Sequence, residues 1–87
     1  MMIRITLVGH IRTSLGREIV ELDQKHIAAG DLIERLREMG RADLHLGFTK
    51  FNTLIVVNGG EAFTAAAEDR QLSDGDDVLL LPFSHGG

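Results

Sequence analysis

The chain has 87 residues, a length that holds one domain around one hydrophobic core. Its hydrophobic fraction of 44% and charged fraction of 25% are typical of a globular protein and exclude an intrinsically disordered chain. The net charge of −4 argues against nucleic-acid binding, which needs a basic surface, and the absence of cysteine excludes disulfides, thiolate metal ligands and a cysteine nucleophile.

The first elements that the pattern predicts are two strands. Residues 2–8 alternate apolar and polar side chains, and residues 17–22 resume a strand pattern. Residues 9–16 carry glycine, serine, threonine and charge, so we expect a turn or short loop there, joining the strands as an antiparallel hairpin. Because the N-terminus has no long hydrophobic segment, we expect no signal peptide, no membrane span and a cytoplasmic location.

The middle of the chain predicts one amphipathic helix. Apolar side chains recur at helical spacing with charged residues between them, at Ala29, Leu32, Ile33, Leu36 and Met39. Gly40 is expected to end this helix. Asp23 is an early capping candidate, whereas the alignment of the apolar stripe favours a start near Ala28.

The second half of the chain predicts three further strands, at residues 53–57, 61–63 and 77–83. Asn58-Gly59-Gly60 and Ser73-Asp74-Gly75-Asp76 read as turns, and residues 65–72 could hold a helical turn. Residues 41–52 are irregular and supply core anchors, namely Leu44, Leu46, Phe48 and Phe51. A helix with one apolar stripe should cover one face of one sheet, so the expected fold class is α+β, with a mixed sheet of four to five strands and one main helix. We expect this domain to span residues 1–83, followed by a flexible tail, 84–87.

The last predicted strand is apolar on both of its sides. Val78 and Leu80 project to one face, and Leu79, Leu81 and Phe83 project to the other. A sheet covered by a single helix should have one polar face, so two explanations stay open. Loops such as the one that holds Phe48 and Phe51 cover the second face, or this face is a hydrophobic patch kept for a partner.

The tail ends in Gly86 and Gly87. Four residues beyond the last strand can extend roughly 13 Å, and glycines can thread a narrow channel because they have no Cβ. The terminal carboxylate is ionised at neutral pH and is a poor electrophile. Adenylation by ATP would turn it into a mixed anhydride that a sulfur or nitrogen nucleophile can attack, and a terminal glycine leaves the acyl carbon uncrowded.

Charged and metal-ligating residues give weaker signals. Residues 61–77 contain six acidic side chains against a single basic one, Arg70, which indicates a solvated surface or a face that steers the domain to a basic partner. The four histidines, His10, His26, His45 and His85, lack ligand spacing, so we expect no metal site and no bound cofactor. The acidic cluster at residues 74–77 lacks the ligand pattern of a calcium loop, and turn chemistry explains it better.

The chain resembles one known family, most clearly in its C-terminal third. The run Leu72-Ser73-Asp74-Gly75-Asp76-Asp77-Val78-Leu79-Leu80-Leu81-Pro82, closing on Gly86-Gly87, is similar to the C-terminal signature of the MoaD/ThiS sulfur carriers. The helix segment from Asp31 to Leu36 and the Val57-Asn58-Gly59 turn also lie where that family has them. Phe83-Ser84-His85 departs from it, since the family often has a second proline there, followed by a small or β-branched pair. The resemblance spans nearly the whole chain and implies a ubiquitin-like β-grasp fold.

The resemblance also implies a mechanism in which this chain is a carrier and not an enzyme. An E1-like adenylating enzyme would use ATP to activate Gly87, and a sulfur donor would convert the acyl-adenylate into a thiocarboxylate. The tail would then enter the large subunit of molybdopterin synthase and deliver sulfur for molybdenum cofactor synthesis. Gly86 would give steric clearance, His85 would contact the activating enzyme's channel, and Leu79, Leu81 and Phe83 would form the docking patch.

Three alternatives stay open at this point. Within the same fold, the sulfur could serve tRNA thiolation or thiamin synthesis. The chain could instead be a protein modifier joined to target lysines through Gly87, as archaeal ubiquitin-like proteins of this family are; Lys25 and Lys50, the only lysines, would then be the sites for chain building. It could also be a β-grasp binding module whose terminal glycines have no chemical role.

Overall fold

A computed structural model describes residues 1–40 and 48–83 of the chain. Along these residues the elements follow in the order β1 (Ile3–Leu7), α1 (Gly9–Leu15), β2 (Ile19–Leu22), β3 (His26–Ala28), α2 (Ala29–Met39), β4 (Thr53–Val57), β5 (Glu61–Thr64), β6 (Gln71–Ser73) and β7 (Asp77–Pro82). The predicted helix and the predicted strands are therefore present, with ends that shift by one or two residues. The structure also contains two short strands that were not predicted, β3 and β6.

Five of the strands form one mixed sheet in the order β2-β1-β7-β4-β5. The last strand, β7, lies in the middle of this sheet, parallel to β1 and antiparallel to β4. The outer pairings, β1 with β2 and β4 with β5, are antiparallel. β3 and β6 pair with each other in a separate two-stranded sheet. The expected α+β class, with a mixed sheet and one main helix, is confirmed.

The helix α2 covers one face of the five-stranded sheet. Its apolar stripe is buried, with Leu32, Ile33 and Leu36 each at most 1% exposed. Alternate residues of the strands point to it and complete the core, chiefly Ile3, Ile5, Leu7, Val20, Ile55, Val78 and Leu80. Each such side chain contributes about 1.5–3 kcal/mol by leaving water, so this face supplies most of the stabilisation of the fold.

The start of α2 is set by backbone hydrogen bonds and not by a capping side chain. Ala28 takes the N-cap position and offers no side-chain acceptor. Instead the N–H of Ala29 donates to the carbonyl of Arg70 at 2.8 Å, and the N–H of Gly30 donates to the carbonyl of Glu68 at 3.1 Å. The segment before β6 therefore satisfies donors that a helix leaves unpaired at its start. The early capping candidate, Asp23, lies outside the helix.

Two sequence-based expectations were wrong in local structure. Residues 9–16, expected as a loop, contain α1, which is anchored by the fully buried Ile11 and is closed by Gly16 with a φ of 71°. The helical turn expected within residues 65–72 is replaced by two consecutive turns, closed by hydrogen bonds from Ala67 to Thr64 and from Arg70 to Ala67, and by β6. The first two strands do pair antiparallel, but a helix joins them.

The helix α1 begins against the end of the last strand. Gly9 has a φ of 61°, and a Cβ placed on it would lie 2.9 Å from Cγ of Pro82. Gly16, at the other end of α1, has a similar φ of 71° but no atom within 4 Å of such a Cβ. The two glycines therefore share a left-handed backbone, but only at Gly9 would an added Cβ clash with a neighbouring side chain.

We predict that Gly9→Ala lowers the free energy of unfolding by about 2–4 kcal/mol, because the methyl group adds a clash with Pro82 to the cost of the left-handed backbone. Gly16→Ala is the matched control and should cost only about 1–2 kcal/mol, since it carries the backbone term alone. Urea unfolding of both variants measures the difference. Equal losses would mean that the close approach of Gly9 to Pro82 does not constrain the protein.

Candidate functional site

The face of the sheet opposite α2 carries a cluster of apolar side chains. Cross-strand pairs place Leu79 beside Val56, and Leu81 beside Leu54, at the centre of this face. We call these four residues the outer patch. They are neighbours because β7 and β4 are antiparallel partners and their side chains alternate in step. The sequence predicted Leu79 and Leu81 for such a patch, and the register adds Leu54 and Val56.

The outer patch is only half-buried, whereas the residues between its members are inaccessible. Val78 and Leu80 are 1% and 0% exposed, while Leu79, Leu81 and Phe83 all keep part of their surface accessible. The described part of the preceding loop does not bury them fully. Phe48 lies within the core that contains α2, and Phe51 is 59% exposed. The last strand therefore has one face in the core and one apolar face at the surface.

A shallow depression adjoins the outer patch where β7 begins. It has a volume of about 260 Å³ and is lined by Thr6, Val56, Gly59, Asp77, Val78 and Leu79. Its lining combines the apolar side chains of Val56, Val78 and Leu79 with the exposed Asp77. Protein-binding surfaces likewise combine apolar and polar groups.

The point at which the chain leaves the sheet, which we call the tail root, is held by β4. The N–H of Phe83 donates to the carbonyl of Asn52 at 2.9 Å, which continues the pairing of β7 with β4 by one residue. Asn52 closes a turn, since its N–H donates to the carbonyl of Thr49 at 3.2 Å while its Oδ1 accepts from the N–H of Thr49 at 2.7 Å. His85, Gly86, Gly87 and the proposed boundary after residue 83 lie outside the described residues.

A second groove, of about 400 Å³, lies at the tail root. Its lining comes from three separate elements, with His10 from α1, Asn52 from the turn before β4, and Pro82 and Phe83 from the end of β7. His10 could not be placed here from the sequence, because the helix that carries it was expected to be a loop.

The Asp-Gly-Asp turn fixes the opposite end of β7. Asp76 accepts from the N–H of Ser73 at 2.7 Å and from Nδ2 of Asn58 at 3.1 Å, and Asn58 in turn accepts from the N–H of Asp77 at 2.8 Å. Gly75 adopts a φ of 87°, which a side chain would disfavour. The carboxylate of Asp76 therefore accepts hydrogen bonds from two neighbouring turns, and together with Asn58 it sets where β7 starts.

The acidic run between residues 61 and 77 is partly neutralised by cations of the chain itself. Arg70 pairs with Glu61 and lies over the ring of Phe63, 4.4 Å from its centroid. Lys50, from outside the run, pairs with Glu68 at 2.9 Å. Asp74 lies 3.9 Å from the amino group of Met1, and with Asp76 and Asp77 it forms an acidic group at the far end of β7 from the tail root. A steering role for this charge stays a prediction.

The described residues contain no group of three histidine, cysteine or acidic side chains that could hold a metal ion. His26 pairs with Ser73 between β3 and β6, far along the chain from His10 in α1, and His45 and His85 lie outside the described residues. Within the same residues, neither helix is long and apolar enough to cross a lipid bilayer. The absence of a metal and of a cofactor stays a prediction.

The fold is similar to that of a solved structure, and the two chains match over their full lengths. The crystal structure of SAMP1 from Haloferax volcanii superposes with a TM-score of 0.67 and 22% sequence identity, over 100% of both chains. No protein-family model matches the sequence. No curated protein matches it either. At this identity the likeness, together with the sheet order, shows the fold alone, which is a ubiquitin-like β-grasp.

We predict that Leu79→Ala and Leu80→Ala differ strongly in their effect on stability. Leu80 is fully buried, so its truncation should lower the free energy of unfolding by about 2–5 kcal/mol. Leu79 lies in the half-buried outer patch, so its truncation should cost about 1 kcal/mol. Urea unfolding gives both values for neighbours on one strand. Similar losses at the two positions would show that the outer patch belongs to the core.

Proposed function

We propose that this chain is a sulfur carrier whose Gly87 is activated and converted into a C-terminal thiocarboxylate that donates sulfur in molybdopterin synthesis. The observation that carries the proposal is the course of β7. This strand bears the half-buried outer patch and ends at the tail root, so a partner that docks on the patch lies beside the emerging tail. The family resemblance of residues 72–82 and of the terminal Gly-Gly supports the same role.

The chemistry requires a partner with a nucleotide site. A carboxylate oxygen of Gly87 attacks the α-phosphorus of ATP, pyrophosphate leaves, and the product is an acyl-adenylate. Hydrosulfide supplied by a sulfur donor then attacks the acyl carbon, the bond from that carbon to AMP breaks, and loss of the proton on sulfur leaves the thiocarboxylate. The E1-like enzyme supplies the catalytic groups, while this chain supplies an uncrowded acyl carbon at Gly87, clearance at Gly86 and a contact at His85.

The outer patch and Phe83 are the proposed contact surface for the activating enzyme and for the large subunit of molybdopterin synthase, which we place in the cytoplasm. Leu79, Leu81 and Phe83 follow one face of β7, and Leu54 and Val56 widen it by one strand. An apolar centre of this kind suits partners that bind in turn, because its burial is non-directional. The acidic residues at the far end of β7 would meet basic groups of the same partners.

A protein modifier is the second candidate, because it uses the same activated Gly87 and the same tail. In that case a lysine amine of another protein attacks the acyl carbon and forms an isopeptide bond. Sulfur transfer to tRNA or to thiamin synthesis would differ only in the acceptor that follows the carrier.

Intact-mass measurement of the protein purified from its native host separates these candidates. We predict a mass increase equal to the replacement of one oxygen by sulfur, and its complete loss when Gly87 is deleted. Gly-Gly remnants on lysines of other proteins would favour the modifier instead. If neither appears, the carrier proposal fails and a binding module remains.

We also predict that Leu79→Asn slows adenylation of the chain by its native activating enzyme about tenfold, because it removes an apolar contact from the centre of the docking surface. Met39→Asn is the matched control, since Met39 is 41% exposed but lies on α2, on the opposite side of the sheet. Release of pyrophosphate gives the rates. Equal rates for the two variants would exclude the outer patch as the docking surface.

A further inference from the structure

The turn between β4 and β5 contains an asparagine followed by a glycine, Asn58-Gly59. Asn58 is exposed and has a φ of 52°, the only positive φ among the non-glycine residues that the structure describes. Gly59 follows with a φ of 71°, and the N–H of Gly60 donates to the carbonyl of Val57 at 3.0 Å. Two left-handed residues in succession are typical of the tight turns that join antiparallel strands.

An asparagine that precedes a glycine can react with its own backbone. The nitrogen of Gly59 can reach Cγ of the Asn58 side chain and close a succinimide ring. Glycine has no Cβ to crowd this attack. Apart from the chain neighbours of Gly59, no atom of the described residues lies within 4 Å of the position that its Cβ would take. The glycine side of this turn is therefore open to ring closure.

The folded structure holds the Asn58 side chain away from that nitrogen. Nδ2 of Asn58 donates to Oδ1 of Asp76 at 3.1 Å, and its Oδ1 accepts from the N–H of Asp77 at 2.8 Å. The Asp76 carboxylate is itself fixed, because its Oδ2 accepts from the N–H of Ser73 at 2.7 Å. The amide has to leave both of its partners before Cγ can rotate toward Gly59.

We propose that Asn58 is a site of deamidation, that its hydrogen bonds to Asp76 and Asp77 slow the reaction in the folded chain, and that the reaction detaches this turn from the start of β7. The nitrogen of Gly59 gives its proton to water and attacks Cγ of Asn58. The bond from Cγ to Nδ2 breaks, ammonia leaves with a proton taken from water, and a succinimide forms. Water then opens the ring at either carbonyl, which leaves an aspartate or an isoaspartate.

The product reverses the hydrogen-bonding role of the side chain. In an aspartate, an acceptor oxygen takes the place of Nδ2, which lies 3.1 Å from Oδ1 of Asp76. Two carboxylates at such a distance repel each other, and Asp77 follows directly in the chain. The link between the turn and β7 is therefore lost. A negative charge is also added where Gly59 and Asp77 line the depression beside the outer patch.

The first test follows deamidation of the full chain at mildly alkaline pH by peptide mass spectrometry, which locates the mass difference between an amide and an acid. We expect it at Asn58 and not at Asn52, the only other asparagine, because the β-branched Thr53 crowds the attack there. The reaction should be faster in urea than in the folded chain. Without urea, Asp76→Ala should accelerate it about three- to tenfold, while Asp69→Ala, which removes an exposed carboxylate of the same acidic run, should not.

The second test measures the consequence for the fold by urea unfolding. Asn58→Asp reproduces the aspartate product and should lower the ratio of folded to unfolded chain about five- to tenfold, because a hydrogen bond is replaced by a repulsion. Adding Asp76→Asn to this variant reverses the pair, so that a donor again faces an acceptor. The double variant should therefore recover most of the loss.

The proposal fails if Asn52 reacts as fast as Asn58, if folding gives no protection relative to urea, or if Asp76→Ala and Asp69→Ala react at equal rates. It fails equally if Asn58→Asp leaves the unfolding midpoint unchanged, or if the added Asp76→Asn recovers nothing. Circular dichroism checks that each variant is folded. Should Asp76→Ala not fold, the comparison of the folded with the urea-unfolded original chain decides whether the structure restrains the reaction.

Discussion

The structure depends on the insertion of β7 between β1 and β4. This strand is the last element of the described residues, yet it makes the central parallel pairing of the sheet and supplies Val78 and Leu80 to the core. Both of its ends are fixed by hydrogen bonds to other parts of the chain, through Asn58 at its start and Asn52 at its end. The chain that follows this strand therefore starts from the middle of the sheet. The position of the tail root is set by the hydrogen bond between Phe83 and Asn52.

Long, strongly periodic elements could be predicted from the sequence. The helix α2 could be predicted because five apolar positions repeat at helical spacing, and β7 could be predicted because its continuous apolar run is bounded by a glycine turn and a proline. The helix α1 was not, since seven residues with one buried anchor, Ile11, are too few to establish a period. Residues 65–67 are helix-forming alanines, but the carbonyls of Glu68 and Arg70 accept hydrogen bonds from the start of α2, and this tertiary contact overrides local propensity.

The candidate site also has a part that could be predicted from the sequence and a part that could not. Strand alternation was enough to predict that Leu79 and Leu81 share a face, because the period of a strand is fixed at two. Adding Leu54 and Val56 required the register between β4 and β7, which is a long-range property. The pairing of Lys50 with Glu68 and the position of His10 at the tail root could not be read from the sequence, because each depends on how separate segments meet in space.

The segment from Glu68 to Arg70 supplies carbonyls to the first turn of α2 and a carboxylate to Lys50, with Gly30 packed closely against it. This short stretch is consequently constrained twice, once by the start of α2 and once by the ion pair with Lys50. A change at Gly30, inside the helix and without any charge, would displace Glu68 and so disturb its pairing with Lys50. Homologous chains that lose the glycine should therefore also have changed one of the residues corresponding to Lys50 and Glu68.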